Sequence, residues 1–243
     1  MRAFCSLLSG GKDSTYALHK ALDAGARPVC VAVILPARAD SWMFHRPFVE
    51  FVHLQLESMG LADRLVKLDV SGVKEVEVDE LEEGLARAKE RYNFDAIVIG
   101  GVASRYQLDR FAKVASRIGA EIFDPQWGAD PERYMLELTR YGIVYVITQI
   151  TTAGLPPRLL GVPIKSEGQV GEVLALARKF GFHPAFEGGE AETFVVQAPR
   201  FRRGLCLDVK RVRVSEFEWR LEPLAASLCE KARVTVDGVT YEA

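Results

Sequence analysis

The chain is almost devoid of asparagine: Asn93 is the single one among 243 residues. Scarce thermolabile side chains fit a thermophile's composition. Cysteine is also sparse, at four residues, and no two form a Cys-x-x-Cys pair. That excludes a zinc ribbon or a thioredoxin-type redox pair. Cys5, Cys30 and Cys206 fall in apolar, strand-like runs and read as buried, inert thiols. Cys229, in a more polar stretch, reads as the one thiol to test for reactivity. An excess of positive charge is missing too: the net charge is −2, so extended nucleic-acid binding is not expected. Apolar runs such as Val29 to Leu35 are far too short to span a bilayer, so no membrane partner is expected. The chain enters a strand-like run at once, with no secretory leader pattern, and a cytoplasmic location is expected. There are no internal repeats and no low-complexity segments, which excludes solenoids and arrays.

What is present is a chain with 49% hydrophobic residues, enough for one large core or two small ones. Its most informative stretch is Ser9-Gly10-Gly11-Lys12-Asp13-Ser14. An apolar run, Ala3 to Leu8, precedes it, and helical spacing begins at Thr15. Strand, glycine turn and helix start together make a phosphate cradle. Glycine lets the backbone bend and approach a ligand, and the helix start offers unpaired N–H groups and a positive dipole end. Lys12 adds a mobile positive charge; Ser9 and Ser14 add hydroxyl donors. The commoner phosphate loop has Gly, four residues, then Gly-Lys-Ser/Thr. Here Ser6 stands where its first glycine would be, and Asp13 follows Lys12. Asp13 either caps the helix or faces the phosphates through Mg²⁺.

The first half alternates strand and helix. Strands are expected at Ala3 to Leu8, Val29 to Leu35, Leu65 to Val70, Ala96 to Ile99 and Glu121 to Phe123. Helices are expected at Phe48 to Met59, Glu77 to Tyr92 and Arg105 to Ile118. This pattern predicts an α/β fold, a doubly wound, Rossmann-like parallel sheet. After residue 130 the character shifts. Helices at Pro131 to Tyr141 and Gly168 to Phe180 flank a strand at Val144 to Ile150. Further strands are expected at Phe194 to Val196, Leu205 to Val214 and Glu216 to Leu221. A hairpin is expected to turn at Asp237-Gly238. The expected division is 1–130 as a nucleotide-binding domain and 131–243 as a smaller α+β substrate domain.

In open parallel sheets, ligands sit beyond the carboxyl ends of the strands, near the topological switch point. Three segments should gather there: the glycine turn, the end of the second strand with Val33 and Leu35, and Gly100-Gly101-Val102-Ala103-Ser104. Backbone at Val33 and Leu35 could read an adenine edge; Gly100, Gly101 and Ser104 allow close approach to a nucleotide, or form a plain tight turn. Trp42-Met43-Phe44-His45 puts unusual apolar surface in a loop and reads as a lid, with Met43 and His45 as substrate contacts. Glu187-Gly188-Gly189-Glu190-Ala191-Glu192-Thr193 crowds three carboxylates into six residues. It is either a solvated acidic turn or a site for a cation, because crowded carboxylates repel one another unless one is present. Such a site could hold Mg²⁺, bind ammonium, or take a proton from an attacking amine. Arg200-Phe201-Arg202-Arg203 is a local basic patch, most simply surface.

The opening hexamer resembles the SGGxDS signature of the PP-loop ATP pyrophosphatases, which split ATP into AMP and pyrophosphate. With Met43-Phe44-His45, Gly101 to Gln107, Asp124-Pro125-Gln126-Trp127 and Glu187 to Phe194, nearly the whole chain resembles the diphthine–ammonia ligase family. Three positions depart from that family's usual pattern: Arg105 stands for an acidic residue, Ala191 for an aromatic one, and Phe186 for a glycine. The resemblance implies ATP and Mg²⁺ as cofactors, with Ser9 to Ser14 around the pyrophosphate and Lys12 and Asp13 acting on its charge. It implies Tyr106, Gln107, Glu187, Gly188, Gly189, Glu190, Glu192 and Thr193 on the acceptor side, with Glu187, Glu190 and Glu192 as catalytic carboxylates. The implied partners are elongation factor 2 bearing diphthine, and free ammonium, since no glutaminase domain is visible; homo-oligomerisation is left open. Two other readings stay open: a PP-loop tRNA base-modifying enzyme, against which the missing cysteine pair counts, and a non-catalytic ATP-binding module.

Overall fold

A computed structural model of the chain describes residues 1–37, 48–73, 76–102 and 105–243. The candidate contacts Met43, His45 and Ser104 lie outside the described residues, as do the side chains of Tyr106 and Gln107. The chain forms two compact bodies. One comprises 1–9, 13–52 and 61–128; the other comprises 10–12, 53–60 and 129–243.

The first body is built on five strands: β1 (Ala3–Leu7), β2 (Arg27–Pro36), β3 (Leu65–Val70), β4 (Ala96–Val98) and β5 (Glu121–Phe123). They are all parallel, in the order β3-β2-β1-β4-β5. Every residue of β1 is buried, as expected of a central strand covered on both faces. Crossovers run through α1 (Lys12–Asp23), α3 (Val76–Tyr92) and α4 (Arg105–Arg117). In α3, Val78, Leu81, Leu85 and Ala88 are buried in the core with Cys5, Val29, Leu68 and Ile97; their spacing lines one helical face. The strand order reverses between β1 and β4, so the switch point lies where these two strands end. This is the doubly wound sheet that the sequence pattern leads one to expect.

The second body carries α2 (Val52–Met59), α5 (Pro131–Tyr141), α6 (Glu167–Phe180) and six strands. These are β6 (Val144–Ile150), β7 (Ala191–Gln197), β8 (Gly204–Arg213), β9 (Trp219–Cys229), β10 (Arg233–Val236) and β11 (Val239–Glu242). Their order is β11-β10-β8-β9-β6-β7, antiparallel except for the β8–β10 pair. Local sequence explains its helices. The Asp130 side chain accepts from Arg133 N at 2.9 Å, Pro131 opens α5, and Gly142 closes it at φ 93°. Ser166 caps α6 and Gly181 ends it at φ 74°. The final hairpin turns at Asp237 (φ 51°) and Gly238 (φ 82°), the paired left-handed residues of a type I′ turn.

The cysteines require a correction. None is free: Cys5 bonds Cys30 and Cys206 bonds Cys229. Cys5 and Cys30 face each other across β1 and β2, with Cα atoms 4.5 Å apart. Cys206 and Cys229 lie on adjoining β8 and β9, with Cα atoms 5.8 Å apart. Separations of 25 and 23 residues carry no motif; strand register alone creates the pairs. Element boundaries also differ, as in β7, which begins at Ala191 rather than Phe194. The expected helix at Phe48 to Met59 begins as a 3₁₀ turn, Val49–Phe51, after Phe48 at φ 63°. The last long strand runs past Leu221 to Cys229, because pairing with β8 continues to Gly204; cross-strand neighbours override the weak local propensity of Ala225-Ala226-Ser227.

Candidate nucleotide and acceptor site

In the first body, β1 ends at Leu7 and α1 begins at Lys12. Ser9 N donates to Ser14 Oγ at 3.2 Å, and the two hydroxyls lie 3.0 Å apart. These bonds fold the turn's two ends together. Asp13 sits in the first turn of α1, where a carboxylate is favoured by the helix dipole. The Gln126 side-chain amide donates to Asp13 O at 3.1 Å. Gly100, just past β4, meets the same backbone: a Cβ there would fall 2.4 Å from Asp13 C and O and 2.6 Å from Ser14 N. Only glycine fits. Gly101 N donates to both oxygens of Asp124, at 3.3 and 3.2 Å. Thus the ends of β1 and β4 bring together Ser9, Asp13, Ser14, Gly100 and Gly101. At the ends of β2 and β3, Val33 is buried and Leu35 half-buried. Leu35 lines a cavity of about 650 Å³ with Ala37, Val49, Glu50, Asp69 and Val70.

The turn's own residues, Gly10 to Lys12, group with the second body. Gly10, at φ 85°, holds a backbone shape that suits glycine. Its carbonyl accepts from Val195 N at 2.9 Å and from Gln55 Nε2 at 3.0 Å. Gln55 Nε2 also donates to Val195 O at 2.8 Å. Lys12 N donates to Thr193 Oγ1 at 3.2 Å. The Lys12 side chain is not the mobile charge expected from sequence. It is 2% exposed, its Nζ donates to Ala185 O at 2.8 Å, and it lies 5.3 Å from the ring centroid of Phe186. The physical reason is local: β7 binds the turn's backbone, so the next side chain points into the loop before that strand.

That loop is the acidic segment. Glu190 ties it together, its two oxygens accepting from His183 N at 2.8 Å and Gly188 N at 2.9 Å. A Cβ on Gly188 would fall 2.6 Å from Glu190 Oε1. The His183 Nδ1 accepts from Ala185 N at 3.2 Å and Glu187 N at 3.4 Å. Thr151 Oγ1 donates to Gly189 O. Glu187 and Glu192 are half-buried. Glu190 therefore shapes the loop, whose neighbours Glu187 and Glu192 flank the stem that receives Lys12.

Among the described residues, no group of three or more His, Cys, Asp or Glu side chains is placed to hold a metal. Asp13 is half-buried in the first turn of α1, and Mg²⁺ commonly takes only one or two carboxylates beside substrate phosphates and waters. Gln55, Gln126, Asp124 and His183 are site-building residues that the sequence did not single out as contacts. Asp124 and Gln126 lie in a stretch that carries the family resemblance, so they had a signal. Gln55 and His183 had none. The Arg200 to Arg203 patch is partly taken up by packing: Phe201 is buried, and Arg203 donates to Leu228 O at 2.8 Å.

Comparison with known proteins identifies the family. Residues 1–122 match the family model described as the diphthamide synthase N-terminal domain, and residues 130–232 match the diphthamide synthase C-terminal domain. A diphthine–ammonia ligase from Bos taurus is 30% identical over 227 residues, covering 85% of this chain and 83% of its own. The Homo sapiens protein of that name is 28% identical over 85% of this chain and 83% of its own. The Danio rerio one is 29% identical over 83% and 85%. A solved structure from Methanocaldococcus jannaschii, described as a predicted subunit of tRNA methyltransferase, aligns with 82% of this chain and all of its own. Its 12% identity and TM-score of 0.40 are too slight to bear on function.

Proposed function

The chain belongs to the diphthamide synthase family, and from that premise we propose that it is an ATP-dependent ligase that forms a C–N bond, making diphthamide from diphthine on elongation factor 2. The acceptor carboxylate attacks the α-phosphorus of ATP, forming an acyl-adenylate and releasing pyrophosphate. Ammonia then attacks the acyl carbon, and AMP leaves. Activation is needed because a free carboxylate is a poor electrophile.

The observation that carries this reading is the bonding of the glycine turn to the acidic loop and the strand after it. Lys12 N donates to Thr193 Oγ1 and Lys12 Nζ to Ala185 O. Lys12 of the glycine turn is thereby held against the acidic loop. A cation fixed in a water-poor setting stabilises developing negative charge without reorganising during the reaction. In this reading the start of α1 and the hydroxyls of Ser9 and Ser14 receive the pyrophosphate. Asp13 would hold Mg²⁺, which would neutralise phosphate charge there. Val33, Leu35, Gly100 and Gly101 border the nucleotide. Glu187 and Glu192 attract ammonium or the fixed positive charge of diphthine, while Glu190 keeps the loop in shape. We assign the acceptor side to residues 131–243 and the nucleotide side to 1–130.

The test is incubation with labelled ATP and ammonium, with and without elongation factor 2 bearing diphthine. AMP release that requires diphthine, with one nitrogen gained by the factor, is the expected result. Release that requires tRNA instead overturns the acceptor assignment, and ATP binding without turnover under any acceptor overturns the enzyme. The Lys12→Ala variant should lose turnover while remaining folded.

A further inference from the structure

Phe186 holds a backbone conformation that a bulky side chain rarely takes, at φ 66°. A non-glycine residue there costs on the order of 1–3 kcal/mol and persists only where its surroundings over-determine it. Two contacts do so. The ring is buried at 6% exposure and stacks on Phe182, with centroids 6.3 Å apart and planes 28° apart. The Lys12 ammonium also lies over the ring, 5.3 Å from its centroid. That ammonium is nearly inaccessible to water, and a desolvated cation gains most from an aromatic ring. Ala185, which receives the Lys12 hydrogen bond, immediately precedes Phe186. The left-handed turn at Phe186 therefore sets carbonyl and ring around one charge.

We infer that Phe186 is a positioning residue, whose ring holds the Lys12 ammonium at the stem of the acidic loop and so fixes the positive charge offered to the leaving pyrophosphate. This rests on the ligase reading given above. A ring that acted by packing alone would do the same work through Phe182 as through Lys12. Replacing Phe182 by leucine removes the stacking partner and leaves the ring beside the ammonium. Replacing Phe186 by leucine keeps an apolar side chain and removes the ring's negative face. The two substitutions thus separate the roles.

The first measurement needs no acceptor and no ammonium. In protein carrying ¹⁵N-labelled lysine, the Lys12 side-chain signal, identified by its loss in Lys12→Met, should show the upfield ring-current shift of a group near an aromatic face. Phe186→Tyr and Phe182→Leu should keep that shift, and Phe186→Leu should lose it. The second measurement is pyrophosphate–ATP exchange in the presence of diphthine-bearing elongation factor 2. Phe186→Leu should lose about tenfold in maximal exchange rate with the KM for ATP within about twofold, as for an interaction that matters most in the transition state. Phe186→Tyr should restore the rate. Should Phe186→Leu fail to fold, Phe186→Met takes its place. An unshifted Lys12 signal in the unsubstituted protein overturns the proposal. So does an equal loss of exchange in Phe182→Leu and Phe186→Leu. If the lysine shift is present but no exchange occurs in any protein, the ligase reading has failed, and with it the positioning role of Phe186.

Discussion

Gly100→Ala is the most exacting perturbation of the junction between the end of β4 and the start of α1. The new Cβ would fall 2.4 Å from Asp13 C and O and 2.6 Å from Ser14 N. Non-bonded carbon atoms settle at about 3.5 Å, so the end of β4 and the first turn of α1 must separate by about 1 Å. Both partners are backbone, so no side-chain rotation can relieve the contact. Overpacking costs typically about 1–3 kcal/mol, and a backbone clash belongs at the upper end, near 3 kcal/mol. Displacing a reactive group by about 1 Å can cost about a hundredfold in rate. The expected result is an unfolding free energy in urea lowered by about 3 kcal/mol and AMP release reduced about a hundredfold. Gly171→Ala is the control: it lies within α6, and a Cβ there meets nothing within 4 Å. That change should stabilise by about 0.5–1 kcal/mol. A Gly100→Ala protein within about 0.5 kcal/mol of the unsubstituted one, with unchanged AMP release, would refute the close-approach argument.

Two other perturbations follow from the fold. The Cys206–Cys229 bond closes a segment of 23 residues, so replacing both cysteines by serine should cost about 3 kcal/mol of stability in urea. Thiol titration of the unfolded protein should find none before reduction and four after; four before reduction would contradict both pairings. Burial raises the pKa of Asp95, but hydrogen bonds from Arg2 N and Ala3 N outweigh it and the carboxyl sits below its ordinary value. A carboxylate depressed by folding contributes stability that is present above its unfolded pKa and lost as pH falls through the folded one. Stability should therefore decline below about pH 4, and less steeply in Asp95→Asn; equal slopes in urea titrations at falling pH would remove Asp95 from the account.

The parallel sheet was legible because its signal is local. Short apolar runs alternating with helical periodicity at α3 and α4 need no long-range information. The glycine turn was legible for a similar reason, since Gly10, Lys12 and Ser14 are consecutive with the strand and helix that shape them. The role of Lys12 was less legible. Charge suggested a mobile side chain, yet its partners Ala185 and Phe186 lie more than 170 residues away. Gln55 is harder still: a polar residue in a short helix, fully buried by bonds to Gly10 O and Val195 O.

Composition and order thus determined by themselves the fold class, the glycine turn between β1 and α1 and the presence of an acidic loop, because each depends on residues within a few positions of one another. Tertiary structure alone decided the cysteine pairs, since the register of β1 with β2 and of β8 with β9 brings the sulfurs together. It also decided what the acidic residues do. Glu190 turns inward to accept two backbone N–H groups, a role that three crowded carboxylates do not announce. And it decided where the cation of the glycine turn rests, because burying an ammonium requires a carbonyl and a ring that only a folded chain can bring to it.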